Sequence, residues 1–457
     1  MVLKTAFSGD PMIIELIHPP HFNSTDDRLD PPLGLLYIGT ILKSVIDEVT
    51  VNDLSGVSCI EDIHIGYADI YGITVYCSTL TVVLDIICKC KDINPNAKIV
   101  LGGAHMTAMP NTFSDIIDHA VVGYGEEPMV DIALEKDMPK IIQGKKLLEP
   151  FDVDWGLIDI DTYSREIDHE KSLPILTSRG CPYKCAFCGL HAMHNITKAV
   201  RFANEYSVLG SIERIKDLGI NTLNIQDDIF TLNRTRLKEI LKGIKKLNMS
   251  FRCMGRAGYD IEETYEMLAD AGCKGVAWGI ESGSQYMLDR MNKQTKVEDN
   301  YNVIQWCKKY GMDARAFFIL GFPGETEDTL KETREFILAA DPDQYFCSNF
   351  IPYPATEVWN DPGSFGVTEI ARDFDNYYQV SKDGTGGAVI STKWLTKEEF
   401  KAAEIKFRAW LKKNKPLRGK NIQQYEKDGK DENKRCNLPE SRDQVHTTHV
   451  GIDFLSA

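Results

Sequence analysis

The sequence predicts an α/β protein: an N-terminal doubly wound, Rossmann-like parallel sheet, then a partial (β/α)6 barrel, then a small α-rich C-terminal extension. Three observations predict it. Short apolar runs alternate with helical patterns over residues 12–145, and the alternation begins again at "LPILTS"; strands alternating with helices imply parallel sheets covered on both faces. Glycines fall where strands of the first series end, the edge at which open α/β sheets meet their ligands. In the second series each apolar run is followed by polar or glycine-bearing residues, at the end where β/α barrels carry their chemistry.

In the first series "MIIELIH" reads as a strand and "LGLLYIGTILKSVI" as a helix with Ile38, Ile41, Leu42 and Val45 on one face. "EVTVND" and "YADIYGITVY" are strands, "TLTVVLDIICKCKDI" a helix, "AKIVLGG" and "HAVVG" strands, and "EEPMVDIALE" a helix. Gly102, Gly103, Gly123 and Gly125 mark the strand ends. The expected domain covers residues 1–146, and 147–173, with Pro150, Asp152, Asp154 and Asp159, is a polar linker.

The second series spans 174–360, with strands near 174–178, 222–226, 250–254, 274–279, 314–320 and 345–351. Helical patterns such as "RLKEILKGIKKL" and "TLKETREFILAA" lie between them. The residues after each strand form a series of their own: the cysteine loop, Asp227 and Asp228, Arg256, Glu281 and Ser282, Gly321 with Gly324 and Glu325, then Pro352, Tyr353 and Pro354. Residues 361–415 form a C-terminal cap, whose helix "LTKEEFKAAEIKFRAWLKK" opens with a Thr396/Glu399 capping box. Residues 416–457 are charged and poor in apolar groups, and read as a flexible polar tail.

Composition narrows the function. Apolar residues are 43% of the 457, enough for a sizeable core. Asp10, Pro11 and Glu15 interrupt the apolar opening, and no run approaches the roughly 18 residues of a spanning helix. The reading is a cytoplasmic protein with no membrane span. A net charge of −15 argues against a nucleic-acid partner. In a reducing compartment, clustered cysteines point to metal or catalysis rather than disulfides. Of the 12 cysteines, three cluster; the others read as packing.

The cluster is "SRGCPYKCAFCGLHAMH", in which Cys181, Cys185 and Cys188 stand at C-x3-C-x2-C spacing. Thiolates bind soft metals. A structural zinc site wants four protein ligands, and a [4Fe–4S] cluster normally takes four cysteines. Three cysteines leave one position to be filled, and His191 and His194 are at hand. Spacing alone leaves iron–sulfur, zinc and packing open.

"CPYKCAFC" at the end of a first barrel strand resembles the radical S-adenosylmethionine (SAM) superfamily. The resemblance implies that Cys181, Cys185 and Cys188 hold three irons of a [4Fe–4S] cluster while SAM chelates the fourth. It implies that Phe187 packs near the adenine, and that one electron cleaves SAM to a 5′-deoxyadenosyl radical that abstracts hydrogen from a small-molecule substrate. A flavodoxin- or ferredoxin-type donor would supply the electron. "GIESGS" resembles the fourth-strand motif, carried over to Glu281 and Ser282 as contacts to the SAM ribose or amino group. "FFILGFPGET" resembles the fifth-strand motif, with Ile319 and Gly321 at the adenine. "IPYPATE" resembles the segment after strand six, which includes Tyr353; Ala355 replaces its usual glycine. "QDDIF" stands where relatives hold the SAM amino group, which nominates Asp227 or Asp228, and Arg256 is the candidate for the SAM carboxylate. His191 and His194 become bystanders or substrate-side acid/base groups.

An α/β domain ahead of this barrel resembles the cobalamin-binding branch of the superfamily, through "DPPLGLLYIGTIL", "IVLGGAH" and "AVVGYGEEPM". That resemblance implies cobalamin over the strand ends, with contacts from Gly102, Gly103, Ala104, His105, Gly123, Tyr124, Gly125 and Glu126, and from Thr74 to Ser78. The D-x-H-x-x-G signature of a histidine beneath cobalt is absent; "DIHIG" is one residue short and stands ahead of the third strand. The expected activity is cobalamin-dependent C-methylation. The alternative is a cobalamin-free radical dehydratase, dehydrogenase or cyclase. The aromatics Phe374, Tyr377 and Tyr378 of "FDNYYQV" line a substrate pocket or belong to the core.

Overall fold

The computed structural model describes residues 11–22, 24, 26–146, 152–190, 200–379 and 386–415. The N-terminal half is β1 (Ile13–His18), α1 (Leu33–Leu42), β2 (Glu48–Asp53), β3 (Ile70–Thr74), α2 (Leu80–Ile93), β4 (Lys98–Gly102), α3 (Ala104–Ala108), β5 (His119–Gly123), α4 (Glu126–Ala133) and β6 (Ile141–Gly144). All six strands are parallel, in the order β2-β1-β3-β4-β5-β6. The order reverses between β1 and β3, which opens a crevice above their carboxyl ends. Leu80, Val83, Ile86, Ile87 and Cys90 recur at helical spacing and bury α2 on one face with Met106 of α3. Leu35 and Leu42 of α1 cover the other face with Met129 and Ile132 of α4.

The second sheet is β7 (Glu166–Ile167), β8 (Glu170–Ile175), β11 (Thr222–Ile225), β12 (Ser250–Gly255), β13 (Cys273–Glu281), β14 (Asp313–Leu320) and β15 (Gln344–Asn349). Six strands run parallel in chain order; β7 joins β8 antiparallel at the edge. Helices α5 (Glu205–Asp217), α6 (Arg234–Lys246), α7 (Glu262–Asp270), α8 (Gln285–Arg290), α9 (Val297–Lys309) and α10 (Glu327–Ala340) return the chain. β9 (Ser178–Arg179) and β10 (Arg201–Phe202) form a small antiparallel pair behind the cysteine loop.

Several elements depart from the expectations. Residues 152–167 are not a loose linker: Val153, Trp155, Tyr163 and Ile167 are buried, and Asp154 and Asp159 close the turns between them by accepting from Gly156 N and Asp161 N. The C-terminal extension is less helical than expected. After the short α11 (Glu357–Asn360), β16 (Val367–Ile370) and β17 (Ile390–Thr392) pair antiparallel ahead of α12 (Lys397–Asn414). The Thr396/Glu399 box caps α12 as expected, with Glu399 N donating to Thr396 Oγ1 at 3.2 Å and Thr396 N to Glu399 Oε2 at 2.8 Å. The short α3 and β6 carry too few residues for a periodic signal. The tail at 416–457 lies outside the described residues.

The halves share one core. Leu33, Leu36 and Tyr37 of α1 pack with Leu173 and Ile175 of β8. Arg165 forks onto Asp30, at 3.1 and 2.6 Å, and Arg179 reaches Glu126 at 2.7 Å. No helix among the described residues is long and apolar enough to cross a membrane.

Candidate active site

The root of the cysteine loop is held by two adjacent aspartates with different tasks. Asp227 is fully buried and accepts from Thr177 N at 2.6 Å, Thr177 Oγ1 at 2.5 Å and Ser178 Oγ at 2.6 Å. Arg236 braces the same turn, donating to Thr177 O at 2.7 Å and Ala203 O at 3.1 Å. Asp227 therefore fixes the strand end and presents no carboxylate to a ligand. Asp228 accepts from Gly180 N at 2.9 Å and lines the large cavity described below. Burial, with the charge of Asp227 added, pushes the Asp228 carboxyl up against the Gly180 hydrogen bond.

The loop is pinned further along by Ala186 N on Met291 O at 2.9 Å and by Asn292 Nδ2 on Lys184 O at 2.8 Å. Each of its two aromatic rings meets a cation. Arg256 lies 3.5 Å from the Tyr183 ring centroid, and Lys293 Nζ 5.7 Å from that of Phe187. Burial pushes the Cys188 thiol up to about 12 and raises that of Cys181. Metal binding must displace those protons. Among the described residues no three donor side chains converge on a single ion. A cluster does not ask for that, since each thiolate takes a different iron. His191 and His194 lie outside the described residues.

The fourth-strand motif carries a buried ion pair. Glu281, at φ +65°, meets Lys293 Nζ at 2.7 Å. A Cβ on Gly279 would stand 2.1 Å from Glu281 Oε1, so the pair requires glycine there. Arg256 donates to the carbonyl of Lys293 and receives support from behind: its own N–H reaches Asp260, which accepts from Tyr265, which accepts from Trp278. Arg256 is thus stacked and bonded as a brace between the loop and Lys293. Ser282 is turned inward, its hydroxyl 3.1 Å from Thr333 Oγ1 and accepting from Ser284 N. The carry-over of a ligand contact to the Ser282 side chain finds no support in that orientation. Ile319 and Phe187 are half-buried against one apolar cluster. Gly321, at φ +79°, would drive a Cβ to within 2.5 Å of Phe400, so α12 closes onto the end of the fifth strand. Ala355 keeps the left-handed backbone of the glycine that it replaces, at φ +67°, a conformation that costs an L-residue about 1–2 kcal/mol.

Between the halves lies a cavity of about 990 Å³. The N-terminal half contributes Gly102, Gly103, Gly123, Tyr124, Gly125 and Glu126, and also Thr74, Tyr76, Ser78 and Ala104. The barrel contributes Ser178, Arg179, Gly180, Asp228 and Tyr353, and the extension Tyr377 and Tyr378, while Phe374 packs behind. The cavity also descends along the α1/α4 face of the first sheet, between Leu16, Gly72, Val100, Val121, Met129 and Ile38. Its lining is polar and glycine-rich at the strand ends and apolar along that face, here called its arm. His105 is not part of it. That ring is buried between Cys77 Sγ at 3.2 Å and Thr112 Oγ1 at 3.0 Å, and burial pushes it down to about 4. It is a neutral core histidine, so the cofactor contact expected of His105 is corrected.

Comparison with known proteins agrees with this geometry. Residues 175–337 match the radical SAM superfamily and residues 29–133 the B12 binding domain. The chain therefore combines a radical SAM domain with a B12-binding domain. It is 29% identical over 366 residues to an uncharacterized methyltransferase of Pyrococcus horikoshii, covering 72% of this chain and 78% of that one. It is 26% identical to the anaerobic magnesium-protoporphyrin IX monomethyl ester cyclase of Rubrivivax gelatinosus, covering 81% and 73%. Among solved structures, the radical SAM methyltransferase TsrM of Kitasatospora setae, with cobalamin and a [4Fe–4S] cluster bound, superposes with a TM-score of 0.64 at 18% identity, covering 87% and 89%. The cobalamin-dependent enzyme OxsB, with aqua-cobalamin and SAM bound, gives 0.58 at 16% identity, covering 89% and 67%. The chain is an enzyme of the radical SAM type, its two domains fit a [4Fe–4S] cluster, SAM and cobalamin, and methyl transfer is the favoured activity.

Sequence reasoning missed Lys293, Arg179, His18 and the apolar arm. Arg179 stands two residues ahead of Cys181 in "SRGC", a visible signal. Lys293 in "RMNKQT" carries none, since nothing in that string announces a buried lysine.

Proposed function

We propose that this chain is a cobalamin-dependent radical SAM methyltransferase acting on a small molecule. The observation that carries the reading is the single cavity into which the glycine rim of the B12-binding half and the root of the cysteine loop both open. When bound, the cluster supplies the electron that splits SAM and the corrinoid carries a methyl group. Cys181, Cys185 and Cys188 are the residues to hold the cluster. Glu281 and Lys293 form a neutral pair against which the zwitterionic end of SAM can exchange, ammonium to carboxylate and carboxylate to ammonium. Phe187, Ile319 and the backbone near Gly321 offer the apolar surface for the adenine, and Asp228 faces the cavity as a second carboxylate. The rim from Gly102 to Glu126 holds the corrin, and the arm beside Gly72 suits a slender apolar appendage. Tyr353, Tyr377 and Tyr378 exclude water on the substrate side. A flavodoxin- or ferredoxin-type protein is the electron donor.

Protein reconstituted anaerobically is expected to bind about four irons, set by the one-cluster reading, and to release 5′-deoxyadenosine from SAM under reduction. Cys185→Ala abolishes both; a variant that still cleaves SAM overturns the cluster assignment. Protein produced with hydroxocobalamin keeps corrinoid absorbance after desalting; its loss overturns methyl transfer. A second reading, ring formation, is favoured by two cyclase relatives at 26% and 25% identity that cover 81% and 85% of this chain. Transfer of label from methyl-labelled SAM to product separates the two.

A further inference from the structure

The inner face of the half-barrel continues below the cavity and carries groups that the chemistry above does not use. Alternate residues of each strand point inward. Gln226 of β11 and Ser348 of β15 line the cavity. Asn224 therefore faces the same interior, as do Phe346 and Gln344 further down β15. The residues between them, such as Leu223, Val276, Ala316 and Phe318, pack outward into the core with the helices. On β14, Phe317 stacks on Phe346 at 5.1 Å between centroids, and the Arg315 guanidinium carbon lies 5.1 Å from the Phe346 centroid. Arg252 of β12 extends across β13, where a Cβ on Gly275 would stand 3.5 Å from its Nε. Asn224, Met254, Phe317 and Phe346 are half-buried although they lie inside the barrel, so side chains do not fill it.

The floor of this interior is a set of donors. Arg252 is 4% exposed, yet its Nε and Nη2 have no hydrogen-bond partner among the described residues. Gln344 is 5% exposed; its Oε1 accepts from Arg315 Nε at 2.9 Å, and its Nε2 is a further buried donor with no partner among the described residues. The parallel register sets Arg252 beside Gly275, Gly275 beside Asp313, and Arg315 beside Gln344, in one strip across the floor. Burial, and then the charge of Arg165, pull the Arg252 guanidinium below its ordinary range; Asp313 and Asp168 offset part of this. Arg165 is committed to Asp30 in a fork. Buried donors without acceptors are costly, most of all on a cation, and each asks for an explanation.

We propose that the floor of the half-barrel binds a carboxylate of the substrate through Arg252, Arg315 and Gln344, with Phe317 and Phe346 against the substrate's apolar body. The inference deepens the proposed function and rests on the cavity above being where that substrate reacts. A guanidinium offers parallel N–H groups that match the two oxygens of a carboxylate, and the anion supplies the acceptors that the floor lacks. Along β14, Arg315 stands four residues below Ile319, about 13 Å at the rise of a strand. The carboxylate thus lies deep and the reacting end at the rim. The substrate class is an elongated, partly apolar acid whose reacting carbon is several bonds from its carboxylate.

The test uses full-length protein reconstituted with iron and sulfide, loaded with hydroxocobalamin and kept in saturating SAM, so that the carboxylate site at Lys293 is already filled. The probes are phenylacetate, phenylpentanoate, their primary amides, and phenylethylphosphonate, titrated by saturation-transfer difference NMR. Phenylpentanoate is expected to bind at least tenfold more tightly than its amide, roughly the effect of 1.4 kcal/mol, and more tightly than phenylacetate. Arg252→Gln and Arg315→Gln should each abolish the preference for acid over amide while iron content and corrinoid absorbance persist. No binding by either acid, acid and amide binding alike, tighter binding of the phosphonate, or a preference that survives both substitutions overturns the assignment. If one variant fails to fold, the other and the wild-type comparison of acid with amide still decide. Protein that keeps its iron but no corrinoid fails the cobalamin reading and leaves the comparison readable, so the two failures are distinguishable.

Discussion

The two rims that face each other across the cavity are made of different material. The N-terminal rim is largely backbone: Gly102, Gly103, Gly123 and Gly125 leave room, and its carboxylate, Glu126, is buried and already paired with Arg179 from the opposite side. The barrel rim, with Ser178, Gly180 and Asp228 on the cavity, is backed by side chains held in pairs, Glu281 with Lys293, Arg256 on Tyr183, and Asp227 under Thr177 and Ser178. A backbone rim accommodates a large preformed ligand by absence of bulk. A side-chain rim binds a small charged one by exchange of partners. The cavity arm and the ion pair are therefore where each rim is most exposed to a single substitution.

Gly72→Leu is expected to have the larger effect on ligand binding. A Cβ at this position already stands 2.7 Å from Leu16 Cδ2 and 3.2 Å from Met129 Cε, in the lining of the arm. Overpacking here costs about 1–3 kcal/mol of stability, and the longer side chain fills the space into which a corrinoid would extend. Corrinoid retention after desalting should fall at least tenfold (roughly the effect of 1.4 kcal/mol), while iron content and SAM cleavage persist. Equal loss of both would show that the rims are not separable.

Lys293→Met probes the other rim. It leaves Glu281 buried without its partner, a loss of about 3–5 kcal/mol. The Glu281→Gln/Lys293→Met double variant removes both charges and should recover much of that stability, read by denaturant melts. SAM affinity, read by equilibrium dialysis on the apo-corrinoid protein, should fall in Lys293→Met and not recover in the double variant. Unchanged SAM binding in either one would remove the pair from the SAM site and leave it a structural element.

Those two substitutions also mark where the sequence stops being informative. Local periodicity specifies strands and helices, so β8, β11 and the rest of the barrel stand where the apolar runs place them, and the cysteine spacing is legible because its three ligands share one loop. Asp227 and Asp228 are indistinguishable in "QDDIF"; only the fold shows that one carboxylate turns down onto Thr177 and the other faces the cavity. His18 and Asp53 are thirty-five positions apart in number and become neighbours through parallel register alone. The "linker" looked polar because its aspartates are frequent, yet they cap turns, and the few apolar residues between them do the packing. His105 misled in the opposite sense: a histidine beside a glycine pair at a strand end resembles a ligand contact, but the short α3 that begins there rotates it into the core.

The smallest expected effect on ligand binding, a change in stability alone, concerns an acid hidden behind the barrel rim. Glu325 is buried beneath Gly321, accepts from Gly321 N at 3.2 Å and from Thr329 Oγ1, and is pushed up to about 7 by burial. Between its unfolded value of 4.5 and about 7 the folded state holds a proton that the unfolded state has released. Its contribution is therefore fully present below about pH 4.5 and is lost as pH rises through 7, a change of up to about 3 kcal/mol. Glu325→Gln mimics the protonated form and should remove that slope: nearly the wild-type stability at pH 5, and greater stability than wild type at pH 8. Denaturant melts at pH 5, 6, 7 and 8 measure it. A slope that survives Glu325→Gln places the titrating group elsewhere in the barrel, with Asp260, raised to about 6 by burial behind Arg256, the next group to replace.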